Sequence, residues 1–197
     1  MTERQDIALG ALVASESNRG AFGSFVGWLV GMRVLGPLFA RLGRLPNQFP
    51  GSARVTRFHA WFLRRSSGRV RRSWLFAAGQ PVLSLTTTGR KSGLARSTAI
   101  ACFKSGEDLA VAGMNLGVAR EPAWALNLQA NAKAEIELHG ERIAVNARRA
   151  RGDEAAALWR RWVDVQPSAV QYRELAGREI PIFVLTRRTD ADQEDHR

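Results

Sequence analysis

A chain of 197 residues that is 45% hydrophobic and 24% charged is long enough to bury one core and carry an appendage, and this composition excludes disorder over the whole length. A single cysteine, Cys102, excludes an intramolecular disulfide, and three scattered histidines (His59, His139 and His196) with no cysteine cluster beside them give no metal site. The net charge of +11 is unevenly placed, because residues 1–80 carry 12 Arg and no Lys against 3 acids while the remainder is close to balanced.

The first fifty residues read as an addition to the domain that follows. Residues 21–30 are mostly apolar, but Arg33 interrupts the run and Pro37 follows it. The run is shorter than the roughly 20 apolar residues a membrane-spanning helix needs. Glu3, Asp6 and Glu16 argue against a secretory signal. The expectation is a helix or helical hairpin that covers an apolar face of the domain or lies in a membrane interface.

Ser52 is placed to cap a helix through Arg65, with Val55, Phe58 and Phe62 on one face, and residues 66–68 stop it. From Arg54 to Arg72 there are seven arginines and no acid, interleaved with Phe58, Trp61 and Phe62. Such a stretch can face anionic lipid, or it can be a solvated helix face; nucleic acid is the more distant reading.

A turn at residues 78–81 leads into LSLTTTGRKSGLAR, residues 83–96, around which the domain is organised. A strand of β-type residues runs into a cationic elbow. Gly89 and Gly93 flank Arg90, Lys91 and Ser92, and Arg96 follows. Glycines that take positive φ can bring backbone N–H groups to a ligand, and the three cations supply charge for a phosphate or carboxylate. The pattern is neither a GxxxxGK[ST] loop nor a GxGxxG turn.

Beyond the elbow the chain reads as short strands. Residues 98–103 and 108–114 form a hairpin around a turn at 104–107, and Cys102 falls in an apolar, buried run. Gly113, Met114, Asn115, Leu116 and Gly117 make a loop, and Pro122 opens a short helix on which Trp124 and Asn127 share a face. A second hairpin pairs residues 135–138 with 142–147 around His139 and Gly140. Asp153 is expected to cap a helix through Val165 with a core stripe of Ala157, Leu158, Trp162 and Val165. A helix over 168–175 and a strand over 180–185 complete the domain, and the tail from residue 189 is polar.

Five or six short strands without long strand–helix alternation predict an α+β domain with a mainly β core, a small antiparallel barrel over residues 52–188 behind an N-terminal helical extension of residues 1–51. A packed barrel leaves a ligand outside, in a groove between the elbow, the 113–117 loop and the Pro122 helix.

Four blocks, RFHAWFLRRSSGR, PVLSLTTTGRKSGLAR, EPAWALNLQAN and IPIFVLTRR, resemble in order and spacing the deazaflavin-dependent nitroreductase and quinone reductase family of actinobacteria, over residues 54–188. The resemblance implies a split β-barrel of the FMN-binding-like type and the reduced deazaflavin coenzyme F420 as hydride donor to a quinone, nitro compound or other conjugated acceptor. It assigns Arg90, Lys91, Ser92, Gly93 and Arg96 to the coenzyme's phosphate and acidic tail, Met114 and Asn115 to the loop beside the deazaflavin, and Trp124 and Asn127 to the helix lining the cleft. Tyr172, the only tyrosine, matches a tyrosine bordering the substrate pocket and is a candidate proton donor or substrate contact.

This chain departs from the pattern where Gln166 and Ala169 stand in place of further tyrosines, and where Asn115 stands in place of a lysine. Two alternatives follow from these departures and from the fold: a non-catalytic module binding the deazaflavin or a lipid, and an FMN-dependent relative. A cytoplasmic protein peripheral to the inner face of the membrane fits the single cysteine and the basic arm. A homodimer is common in the wider fold superfamily.

Overall fold

The computed structural model describes Leu9, Gly10 and residues 80–188. The expected helices at 21–30 and 52–65, the arginine run of 54–72, and the tail from 189 lie outside the described residues.

Six antiparallel strands close a barrel in the order β1-β2-β3-β6-β5-β4, formed by β1 (Val82–Thr88), β2 (Ala95–Ser105), β3 (Asp108–Ala112), β4 (Lys133–Leu138), β5 (Glu141–Arg149) and β6 (Ile182–Arg187). The barrel is split because β2 serves two neighbours in succession. Its first seven residues, Ala95 to Ala101, pair with β1, and Cys102 to Ser105 pair with β3. The fold is the mainly β split barrel that the sequence leads one to expect. β2 begins three residues before the expected start, because the polar stretch after the elbow is still paired with the threonines of β1.

Alternation sets which residues fill the barrel. Leu83 and Leu85 of β1, Leu109 and Val111 of β3, Ile136 and Leu138 of β4, and Phe183 and Leu185 of β6 point inward and are buried. A short helix α1 (Ala123–Ala130) closes one mouth, inserting Ala125 and Leu128 into the same core. Leu9 enters from the chain's beginning as a further buried member of that core, and the N–H of Gly10 donates to the carbonyl of Glu107 in the β2–β3 turn, 2.7 Å away. That turn marks the opposite mouth.

The outer face of β3 and β6 is covered by α2 (Gly152–Val165) and α3 (Ala169–Ala176). Leu158, Trp162, Ala169 and Ala176 pack there against Phe103, Ala110, Ile182 and Val184. Two details of α2 differ from expectation. Arg151 occupies the N-cap without a side-chain bond, and Asp153 lies inside the first turn, where its charge suits the positive end of the helix. Ala157 faces solvent, so the stripe is carried by Leu158 and Trp162. Gly177 ends α3 in the left-handed conformation, φ 60°, that glycine adopts without strain.

Candidate functional site

The antiparallel order sends the elbow after β1 and the 113–117 loop after β3 out of the same end of the barrel, the end α1 covers. The three segments expected to border a groove therefore leave one mouth together.

The elbow is a rigid turn closed on Gly89. The Gly89 carbonyl accepts from the N–H groups of Ser92 (3.1 Å) and Gly93 (2.7 Å), and the Gly89 N–H donates to the Leu94 carbonyl at 2.9 Å. A Cβ on Gly89 would meet Ser92 Oγ at 2.8 Å, so this glycine permits close approach, whereas Gly93 is needed for its φ of 66°. The backbone nest expected of the elbow is accordingly corrected: the N–H groups of Gly89, Arg90, Ser92 and Gly93 are all engaged within the fold. What the elbow offers outward is its side chains. Arg90, Lys91 and Arg96 are exposed, and among the described residues no carboxylate pairs with any of them. Leu94, 60% exposed, stands among these cations.

Asn127 fixes the elbow to the barrel. Its Oδ1 accepts from the Arg90 N–H at 3.1 Å, and its Nδ2 donates to Thr87 Oγ1 at 3.0 Å. The backbone N–H can only donate, so the amide oxygen must face it. Asn127 is 4% exposed, and its side chain holds the segment that carries the cations. Trp124, one turn earlier, is half-buried over the barrel core and meets Phe183 edge-on with ring centroids 5.7 Å apart.

The loop after β3 is built from strained and stapled residues. Asn115 takes φ 47°, and its Nδ2 donates to the Arg120 carbonyl at 2.8 Å. Met114 is half-buried against the outer core, with its sulfur accepting from Trp162 Nε1 at 3.3 Å. Gly117 has φ 73°, and a Cβ there would meet Leu175 Cβ at 3.0 Å and the Tyr172 carbonyl at 3.2 Å, so α3 lies directly against the loop. Tyr172 is itself 9% exposed, and burial raises its pKa above the ordinary phenol value, which keeps the hydroxyl protonated. Gln166 and Ala169, at the start of the same helical segment, are buried, and the Gln166 Oε1 has no hydrogen-bond partner.

Two contributors were not anticipated from sequence. Thr87, 2% exposed, is the anchor for Asn127. Arg178, just after α3, donates from Nη2 to the carbonyl of Gly113 at 3.0 Å and to those of Val118 and Arg120 at 3.4 Å. Burial lowers its pKa, partly opposed by Glu121. Neither role leaves a local signature, since the partners lie 40 residues away for Thr87 and 58 to 65 for Arg178.

A rigid turn bearing three cations without an ion-pair partner among the described residues can hold a phosphate or polycarboxylate by charge-assisted hydrogen bonds. A family model described as F420H(2)-dependent quinone reductase matches residues 55–187. F420H(2)-dependent quinone reductases from two strains of Mycobacterium tuberculosis are each 29% identical to this chain over 137 residues, which cover 68% of this chain and 91% of the relative. Among solved structures, an F420-H2 dependent reductase is 26% identical, with a TM-score of 0.49 over 53% of this chain and 93% of that one.

Proposed function

The chain belongs to the F420H(2)-dependent quinone reductase family, and on that premise we propose that it transfers a hydride from reduced coenzyme F420 to a quinone. The observation that carries the reading is the elbow: three exposed cations, with no ion-pair partner among the described residues, on a turn whose backbone is locked by Gly89 and Asn127. The residues fit the coenzyme, because an anionic tail requires cations that are not already neutralised, and Arg90, Lys91 and Arg96 meet that condition.

Bound coenzyme would supply the hydride. The protein's share is alignment and exclusion of water. Arg90, Lys91 and Arg96, with Ser92 and Gly93 shaping the turn, would hold the anionic end. Met114, Asn115 and Trp124 would border the ring, and Asn127 would keep the elbow in register with them. No side chain needs to act as a nucleophile. Tyr172, held protonated by burial, would be the acid that donates a proton to the reduced acceptor, with solvent as the other source.

Gln166 and Ala169, both buried, take the positions where further tyrosines would stand, so the acceptor side would be less aromatic, and nitro compounds are further candidates beside quinones. The arginine-rich segment of residues 54–72 would hold the enzyme at the inner face of an anionic membrane, where quinones are dissolved.

The test is a fluorescence titration of the purified protein with F420 and, separately, with FMN, followed by a turnover assay with a soluble quinone. Saturable binding of the deazaflavin alone, together with quinone-dependent oxidation of its reduced form, supports the reading. Binding of FMN alone refutes it, and F420 binding without turnover of any acceptor favours a coenzyme-binding module. Sedimentation with vesicles containing phosphatidylserine at low salt, lost at high salt, tests the membrane contact.

A further inference from the structure

The loop of residues 113–120 has one cross-brace. Arg178 reaches it from beyond α3 and touches its first residue and its last: Nη2 donates to Gly113 O at 3.0 Å, and to Val118 O and Arg120 O at 3.4 Å, while Nη1 donates to the neighbouring Glu179 O at 3.1 Å. From within the loop the Asn115 side chain donates to the same Arg120 carbonyl. A span that includes two positive-φ residues, Asn115 and Gly117, is thereby bracketed at both ends by a single guanidinium. The three loop carbonyls share Nη2, and Nη1 is held by Glu179 O, so the second arm of the fork fixes the plane in which Nη2 meets the loop; a Lys ammonium, a single nitrogen on a flexible stem, lacks that second anchor.

The brace is not an economical way to stabilise the fold. Arg178 is drawn partly out of water, its Nε–H is buried with no acceptor, and it pairs with no carboxylate among the described residues. A buried donor left unmatched costs stability, so the contacts of the other two nitrogens are better read as fixing geometry than as stabilising the fold.

We propose that Arg178 is a positioning residue for hydride transfer: by bracketing Gly113, Val118 and Arg120 it sets the loop that presents Met114 and Asn115 to the coenzyme. The inference rests on the quinone reductase reading for the word coenzyme, while the bracket itself rests on the contacts above.

The experiment compares wild type with Arg178→Lys in two measurements. Amide hydrogen exchange, followed by mass spectrometry without coenzyme, reads the loop, whose Gly117 and Val118 N–H groups bond to Met114 O and Asn115 O. Steady-state kinetics with reduced F420 and a soluble quinone read positioning. Exchange in peptides covering 113–120 is expected to accelerate about tenfold while the barrel strands keep their protection, as local opening of one unit predicts. The kcat for quinone-dependent oxidation of reduced F420 is expected to fall about tenfold with KM for reduced F420 changed by less than about twofold, well within what a misplacement of ~1 Å can cost.

Unchanged loop exchange in the Lys variant overturns the bracket, because charge alone would then suffice. Faster exchange with an unchanged kcat overturns the positioning role. If Arg178→Lys does not fold, Arg178→Gln is read by the same two criteria. If the wild-type protein takes no F420, the quinone reductase reading fails by itself, and the exchange comparison still decides the bracket.

Discussion

Asn127 and Arg90 are joined through the backbone: the amide oxygen of one accepts the N–H of the other at 3.1 Å, while the same side chain holds Thr87 at 3.0 Å. The helix that closes the barrel mouth is thus tied to the turn that carries the cations. Replacing Asn127 by Ala leaves the Arg90 N–H and the Thr87 hydroxyl without their partner, at a cost of about 1–3 kcal/mol. The expected outcome is a lowered melting temperature together with weakened F420 binding, although every cation is still present. A variant that loses stability and keeps wild-type coenzyme affinity would show that the tie does not set the elbow.

The cations themselves are expected to behave in the opposite way. Arg90→Ala, Lys91→Ala and Arg96→Ala remove exposed groups that have no ion-pair partner among the described residues, so the unfolding free energy should change by less than about 0.5 kcal/mol. F420 affinity should fall about 10- to 100-fold for each charge that meets the coenzyme. Titration at two salt concentrations checks this, since the wild-type protein should lose more affinity at high salt than any of the variants.

Tyr172 gives a signal that no other residue obscures, because it is the only tyrosine in the chain. Burial raises its pKa, so between the unfolded and folded values the folded protein binds more protons than the unfolded chain. The sign is therefore negative: this stabilisation is complete below the unfolded phenol value, about 10, and is lost as pH rises through the folded one. Absorbance near 295 nm should show ionisation later than for free tyrosine, and Tyr172→Phe should flatten the alkaline fall in stability. Ionisation at the ordinary value would place the hydroxyl in water.

Glu154 provides the acid-side counterpart. Its bidentate bond with Arg148, 2.6 Å at each oxygen, lowers its pKa and ties the first turn of α2 to β5. A depressed carboxylate stabilises above its unfolded pKa and stops doing so as pH falls through the folded value. Both groups are largely exposed, so Glu154→Gln should cost no more than about 1 kcal/mol at neutral pH, and less in high salt. The difference between wild-type and variant thermal melts should be largest at pH 7 and shrink as pH falls into the acid range.

Gly117 carries a steric prediction. Alanine there must hold φ 73° and place its Cβ 3.0 Å from Leu175 Cβ and 3.2 Å from the Tyr172 carbonyl. The left-handed conformation alone costs an L-residue about 1–2 kcal/mol. Gly117→Ala should therefore lower the melting temperature and raise exchange in α3 and the 113–120 loop together, whereas Gly93→Ala, with the same sign of φ and open space around it, should pay only the backbone term.

The barrel was legible in the sequence because its information is local. Alternating Leu83 and Leu85, Leu109 and Val111, and Ile136 and Leu138 fix inward faces, and turns at Gly106 (φ 63°) and at His139 and Gly140 (φ 55° and 85°) fix the hairpins. The positions of Arg90, Lys91 and Arg96 on a turn were equally local. What sequence could not supply were the partners of Asn127 and Arg178, which are set by long-range pairing, and the internal use of the elbow's N–H groups, which depends on the acceptors Gly89 O, Leu94 O and Asn127 Oδ1. Asp153 was read as a cap because its type suits one. The helix nevertheless begins earlier, at Gly152.

Leu9 is buried in a core whose first strand begins at Val82, and Gly10 is bonded to Glu107. During synthesis Gly10 leaves the ribosome 97 residues before its partner Glu107, a wait of roughly 5–20 s at ordinary elongation rates. The last strand, β6, arrives later still and must pair with both β3 and β5 before the cylinder closes. A nascent chain that has passed residue 107 but not residue 187 thus presents unpaired strand edges and an unseated apolar side chain together, the combination that holdase chaperones bind.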